Sequence, residues 1–261
     1  MPTMNVLKRR GLVQTLVMGL VVLTAPIAVQ AAETVTIAVE DDFYPLARAP
    51  NGKLEGFSVD VIKAAFANQG YEVKFNIVPY ARCTAETETG VQLACFNVPE
   101  TEESRKLYII PAEPLVQTVL QIFAPADSTA SNLGFADLAG KRVGLTHGYD
   151  YSDEIESGTS FSLDVAKTDL LSLKKVAGGR VDYALLYDKV AAGLLSESGA
   201  ELVGKVKVVG NLDPYPFHLA FSRQHPDGEK MADVFTKGLI AIKASGEYNA
   251  IDQQWNAKLS K

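Results

Sequence analysis

The chain has 261 residues, 47% of them apolar and 21% charged, with a formal net charge of −6. That mix excludes disordered, collagen-like and coiled-coil chains, and the absence of a Lys/Arg-rich run in the body of the chain excludes a nucleic-acid binder. The length suits one large or two small domains.

Residues 1–31 read as a leader rather than as fold. Lys8, Arg9 and Arg10 form a basic head, an apolar stretch runs from Gly11 to Ala28, and small residues precede a cut after Ala31. These are the parts of a cleaved secretory signal peptide. A transmembrane anchor wants about 20 apolar residues, and Gln14, Thr15, Thr24 and Pro26 interrupt this run. Cleavage removes three basic and no acidic residues, leaving a formal charge of −9 on an exported, periplasmic protein.

After the leader, short β-rich runs alternate with amphipathic helices, the pattern of βα units around a sheet. Thr34–Val39 alternates as a strand. Ser58 reads as the N-cap of a helix carrying Val59, Ile62 and Phe66 on one face, stopped by Gln69-Gly70. Strand Tyr71–Val78, a short helix over Ala81–Thr87, an apolar run Val91–Phe96 and a long strand Leu115–Phe123 follow. A second set begins with strand Arg142–Thr146, helix Asp169–Val176, strand Val181–Tyr187, helix Lys189–Leu195 and strand Val206–Val209. Pro214 and Pro216 punctuate the chain before strand Phe217–Phe221. An amphipathic helix with Met231, Val234, Phe235, Leu239 and Ile242 on one stripe ends at Gly246, and a final turn or two contains Trp255. The two sets are separated near Phe123–Asp127 and again near Asp213–Pro216. Two crossings imply two lobes: 32–124 with 216–261, and 125–215.

Cys83 and Cys95 stand twelve apart. In an oxidising compartment a disulfide is the favoured reading, with two buried thiols as the plain alternative. Neither cysteine has a His or Cys partner at ligand spacing, so no metal site is expected, and no cofactor.

The fragments AVEDDFYPL (38–46), NGKLEGFSVDVIKAAF (51–66), ETEESRKLY (100–108), LAGKRVGLTHGYDY (138–151), AGGRVDYALLYDKVA (177–191) and ASGEYNAIDQQW (244–255) occur in this order along the chain. Together they resemble the polar amino-acid-binding proteins, family 3 of the bacterial extracellular solute-binding proteins. The resemblance implies an α/β fold of the two-lobe periplasmic binding protein type (type II). In that fold each lobe is a central sheet flanked by helices, and two crossover strands join the lobes. It also implies a monomer that closes on a small ligand, an amino acid or a related compound, and an ABC permease in the inner membrane as the partner.

The resemblance also places ligand groups. Arg105 matches the family's carboxylate-gripping arginine, although Thr101-Glu102-Glu103-Ser104 precedes it where the family keeps a shorter Thr-Pro-Glu run. A solvated side chain is the plain alternative. Arg82 is a second cationic candidate or a structural residue. Phe43 falls on an aromatic that covers the ligand, or in the core. Glu40 falls on an acidic group that selects cationic side chains, or in a solvated acidic turn with Asp41 and Asp42. Asn97 falls in the segment that meets the ligand's polar head. After Gly148, where the family keeps small hydroxyl residues, this chain has Tyr149 and Asp150, with Tyr151 as a further source of a hydroxyl. Tyr187 occupies the position of the family's ammonium-binding Asp, and Asp188 follows it. Asp188 either reaches the cleft or caps a helix; if it caps, the ligand need not be an α-amino acid.

Two other functions share this fold. One is an exported enzyme like the cyclohexadienyl dehydratases; the other is a ligand sensor docking on a membrane receptor. His147, His218 and His225 are scattered, and no catalytic motif is present. A binder, not an enzyme, is therefore expected.

Overall fold

The alternating runs give the elements their burial requires. The computed structural model describes Met1 and residues 32–40, 42–149, 151, 153–157, 160–197 and 200–259. The expected leader, apart from Met1, and Asp150 lie outside them. The strands are β1 (Glu33–Val39), β2 (Asp42–Phe43), β3 (Ala47–Arg48), β4 (Tyr71–Ile77), β5 (Ala94–Pro99), β6 (Tyr108–Ile109), β7 (Val116–Pro125), β8 (Arg142–Thr146), β9 (Ser162–Ala166), β10 (Tyr183–Tyr187) and β11 (Val206–Ser222). The helices are α1 (Phe57–Asn68), α2 (Tyr80–Glu88), α3 (Glu102–Leu107), α4 (Asp153–Glu156), α5 (Asp169–Ala177), α6 (Asp188–Ser196), α7 (Gly228–Ser245) and α8 (Glu247–Leu259).

Among the described residues one sheet runs β4-β1-β5-β11-β7-β10-β8-β9, with β6 beside β11, and β2-β3 form a separate hairpin. The parallel strands β4, β1 and β5 make one half of the fold, packed by α1, α2, α7 and α8. The parallel strands β10, β8 and β9 make the other, packed by α5 and α6. Antiparallel β7 and β11 run between the halves. These are the two lobes and the two crossovers.

The crossovers differ from the expected separate strands. The stretch 206–222 is one strand, and Pro214 and Pro216 lie inside it, opposite Val119 and Gln117 of β7. Proline lacks the N–H that a second neighbour would need. Here it is tolerated because β5 joins the other edge of β11 only from Phe217 onward, and a register shift precedes Pro214. The final helix is also longer than a turn or two, because its exposed face is polar and only Trp255 is fully buried. β9 was not expected. It pairs with β8 alone, and Asp164 in its middle, ion-paired to Lys175, breaks the apolar alternation.

Ser58 is not the cap of α1. Gly56 holds that position at φ 155°, where a Cβ would meet the Leu46 carbonyl oxygen at 2.1 Å. The free N–H groups of Phe57 and Ser58 donate to the carbonyls of Pro45 and Leu46, so the turn between β2 and β3 supplies the cap. The Ser58 hydroxyl is thereby released for another partner.

The core follows the sheet. Ile37, Ile62, Phe66, Phe96, Phe221 and Phe235 are fully buried on the first side, with the Phe66 and Phe235 rings 5.6 Å apart where α1 crosses α7. Each such side chain contributes about 1.5–3 kcal/mol by leaving water. Leu173, Val176, Ala184 and Leu186 form a smaller core on the second side. Cys83 of α2 and Cys95 of β5 are joined as a disulfide, Cα atoms 5.6 Å apart. Closing so short a loop stabilises by roughly 3 kcal/mol in the chain-entropy model.

Candidate functional site

In sheets of parallel strands, binding groups collect beyond the carboxyl ends of the strands. The two lobes present those ends to each other. Glu40 follows the end of β1, and Asn97 and Pro99 lie toward the end of β5. Opposite them, Thr146 ends β8 and Tyr187 ends β10. A cavity between them is lined by Glu40, Phe43, Tyr80, Asn97, Pro99, Tyr149, Tyr187 and Phe217. Its volume is about 20 Å³, room for about one water.

Glu40 is buried and fixed. The Asn97 amide donates to its Oε1 at 2.9 Å, while the Ser58 hydroxyl donates to the Asn97 oxygen at 2.7 Å. A chain of hydrogen bonds thus runs from α1 through β5 to the end of β1. Asn97 adopts φ 59°, a conformation asparagine tolerates better than most residues, and this turns its amide toward Glu40.

The walls are aromatic. Phe43, carried on the β2-β3 hairpin, meets Tyr149 edge to face at 5.2 Å, Phe217 at 5.8 Å and Tyr187 at 6.2 Å. Tyr187 in turn meets Phe217 at 4.8 Å. Phe43 belongs to one lobe and Tyr149 and Tyr187 to the other, so the rings close the cleft across its middle. Tyr151 stacks on Tyr187 at 6.3 Å, and its phenol oxygen accepts from the Thr146 N–H.

A second carboxyl group stands behind the first ring. The Tyr149 hydroxyl donates to Asp169 at 2.7 Å, and the Thr146 hydroxyl donates to its other oxygen at 2.6 Å. Burial pushes the Asp169 carboxyl above the usual range against the lowering effect of these two bonds. Burial, and then the charge of Asp169, raise the Tyr149 phenol, which stays neutral. The raised carboxyl binds its proton more tightly in the folded chain than in the unfolded one, so its contribution to stability falls as pH rises from about 4. The melting-temperature difference between the wild-type protein and Asp169→Asn should therefore be most favourable to the wild type near pH 4 and shift against it toward pH 7. Melts across that range check this, and a difference independent of pH would refute it.

Several expected ligand groups do not reach the cavity. Arg105 lies on α3, its side chain 62% exposed and ion-paired to Glu100. The reason is local: Thr101 and Ser104 cap α3 reciprocally, which turns the buried Ser104 inward and the next residue out. Arg82 is exposed on α2, one residue from the disulfide. Asp188 accepts the N–H groups of Val119 and Lys189 at 3.2 and 2.8 Å, fixing the start of α6 to β7. That is a structural role, although the N-cap of α6 itself is Tyr187.

Tyr80, Pro99, Phe217 and Asp169 were missed. Tyr80 opens α2 just past the carboxyl end of β4, and Asp169 opens α5 just past the end of β9. The strand-end rule would have flagged Tyr80; Asp169 follows β9, whose pattern the sequence hid, and no sequence signal marked Phe217.

A larger cavity of about 510 Å³ flanks the first, lined among others by Asp42, Tyr44, Arg48, His147, Lys167 and Glu197. There Arg48 of one lobe holds Glu197 of the other through two donors, at 2.5 and 3.2 Å. It also bonds Glu55 and lies 3.7 Å over the Tyr44 ring. Because this two-pronged bridge spans the lobes, it favours the closed arrangement. Its partners are partly exposed, so the gain is about 1 kcal/mol. Arg48→Gln should weaken solute binding about fivefold, mainly through faster release. Stopped-flow dissociation rates test this, and an unchanged rate would discount the bridge.

The sequence pattern of the bacterial extracellular solute-binding proteins, family 3, matches residues 35–258. The chain belongs to that family. A probable amino-acid-binding protein of Bacillus subtilis, YxeM, is 26% identical over 218 residues, covering 81% of this chain and 80% of its own. The ABC transporter arginine-binding protein 1 of Escherichia coli is 24% identical, covering 86% and 91%. A histidine kinase sensor domain with similarity to periplasmic binding proteins shares the fold with a TM-score of 0.73 at 21% identity, covering 86% of this chain and 96% of that one. No helix among the described residues is long and apolar enough to cross a membrane.

Proposed function

We propose that this solute-binding protein captures a small positively charged solute, an amino acid or a related amine, between its lobes and delivers it to an ABC permease in the inner membrane. The observation that carries the reading is Glu40, a buried carboxylate held by Asn97 among aromatic walls at the facing strand ends. A carboxylate neutralises a cation's charge, and ring faces attract it. The arginine-binding relative supports a cationic solute. Residues 32–124 with 216–261 make one lobe and 125–215 the other, and residues 1–31 are a cleaved leader that directs a monomer to the periplasm. The solute is bound and not transformed, a reading that the family match and the arginine-binding relative support.

A thermal-shift screen of amino acids, amines and small organic acids tests this. Stabilisation by cationic members is expected. Stabilisation by dicarboxylates alone, or turnover of a cyclic phenylalanine precursor, would overturn it.

A further inference from the structure

An α-amino acid brings two charges at one carbon, and a pocket built for it needs a cationic or N–H grip for the carboxylate and an acid for the ammonium. Neither side chain expected for that task faces the cavity. Arg105 points outward into an ion pair with Glu100, and Asp188 is spent on the Val119 and Lys189 N–H groups. Among the described residues the lining contains no Lys, Arg or His. It contains one carboxylate, one amide already turned to that carboxylate, and the rings of Phe43, Tyr80, Tyr149, Tyr187 and Phe217. Asp169 behind Tyr149 adds a second acidic group on the opposite wall. In the flanking cavity Arg48 is engaged by Glu55 and Glu197, and His147 and Lys167 lie exposed at its rim, outside the lining around Glu40.

We propose that the cleft recognises an organic cation by its charged nitrogen alone, with no grip on a carboxylate. Its ligands are amines, guanidines or quaternary ammonium compounds that lack an acid group. The inference rests on the cationic-solute reading above and narrows it. The cleft must widen from its present volume of about 20 Å³ to admit the whole molecule; its charged nitrogen then sits against Glu40 with ring faces around it, where its desolvation is offset by the carboxylate and by cation–π attraction. A carboxylate carried into the same space would meet Glu40 and the aromatic walls, lose its hydration and gain no countercharge. The cleft therefore selects against it.

Titration calorimetry of the purified protein with matched pairs tests this: arginine against agmatine, lysine against cadaverine, and glycine betaine against choline. The carboxylate-free member of each pair should bind at least tenfold more tightly, and Arg105→Ala should leave its affinity within twofold. A carboxylate-bearing member that binds as tightly as its carboxylate-free counterpart, or loses tenfold on Arg105→Ala, overturns the inference and leaves the cationic-solute reading standing. Failure of every cation in both series to bind would overturn both.

Discussion

Gly193→Val should leave each lobe folded and weaken solute binding by about a hundredfold. Gly193 lies on α6 where that helix meets the Tyr44-Pro45 turn of the facing lobe. A Cβ built at this position would stand 2.7 Å from Cδ1 of Tyr44 and 3.0 Å from Cδ of Pro45. Neither neighbour can yield. The Tyr44 ring is held beneath the Arg48 guanidinium at 3.7 Å and against the Trp255 ring at 6.2 Å, and Pro45 supplies the carbonyl that caps α1. Overpacking of this kind costs about 1–3 kcal/mol, and 2.7 kcal/mol is a hundredfold in affinity. The cost falls on the closed arrangement, because the atoms that most crowd the added carbon belong to Tyr44 and Pro45 of the facing lobe. The substitution therefore moves the population toward open lobes. Small-angle scattering should show a larger radius of gyration, and the melting temperature without solute should change little. Gly193→Ala already adds the crowded Cβ but stabilises the isolated helix by up to about 1 kcal/mol, so it should weaken binding less than valine does and without loss of helix. A valine variant with wild-type affinity and dimensions would show that α6 does not limit closure.

How far the sequence could anticipate this site depends on whether the deciding contacts are local. The strands and helices with one apolar face were legible because their periodicity is set by which side meets the core; α7, with Met231, Phe235, Leu239 and Ile242 buried, is the clearest case. Glu40, Phe43, Asn97, Tyr149 and Tyr187 were legible through the resemblance to the solute-binding family, and the structure brings all five to one cavity. Arg105 was misplaced even though its deciding contact is local: the reciprocal Thr101–Ser104 cap puts Ser104 inward and the arginine out toward Glu100. Ser58 was misplaced for the opposite reason. A residue type suited to capping was available, yet backbone carbonyls from a turn twelve residues upstream did that work, and the hydroxyl went to Asn97. Pro214 and Pro216 looked like breaks because a sequence does not reveal which strand edge lacks a neighbour.

The charge of Glu40, rather than its shape, should account for most of the affinity, and Glu40→Gln isolates the two. Glutamine has the same length and keeps an oxygen to accept the Asn97 amide hydrogen, so the chain from Ser58 through Asn97 survives the change. The countercharge does not. A hydrogen bond to a charged group contributes about 1.5–3 kcal/mol, and this one lies in a cleft where water and salt screen it little. Affinity for a cationic solute should fall by about 10- to 100-fold, while the melting temperature without solute holds within a few degrees. An uncharged analogue of the same shape should lose much less, which separates loss of charge from loss of fit. Asp169 provides the comparison on the opposite wall: it reaches the cavity only through the Tyr149 ring, so Asp169→Asn should weaken the same solute by less than tenfold. Calorimetry on the two variants decides between the walls. If Asp169→Asn costs more than Glu40→Gln, the charged nitrogen lies on the Tyr149 side, and the first lobe supplies only aromatic cover.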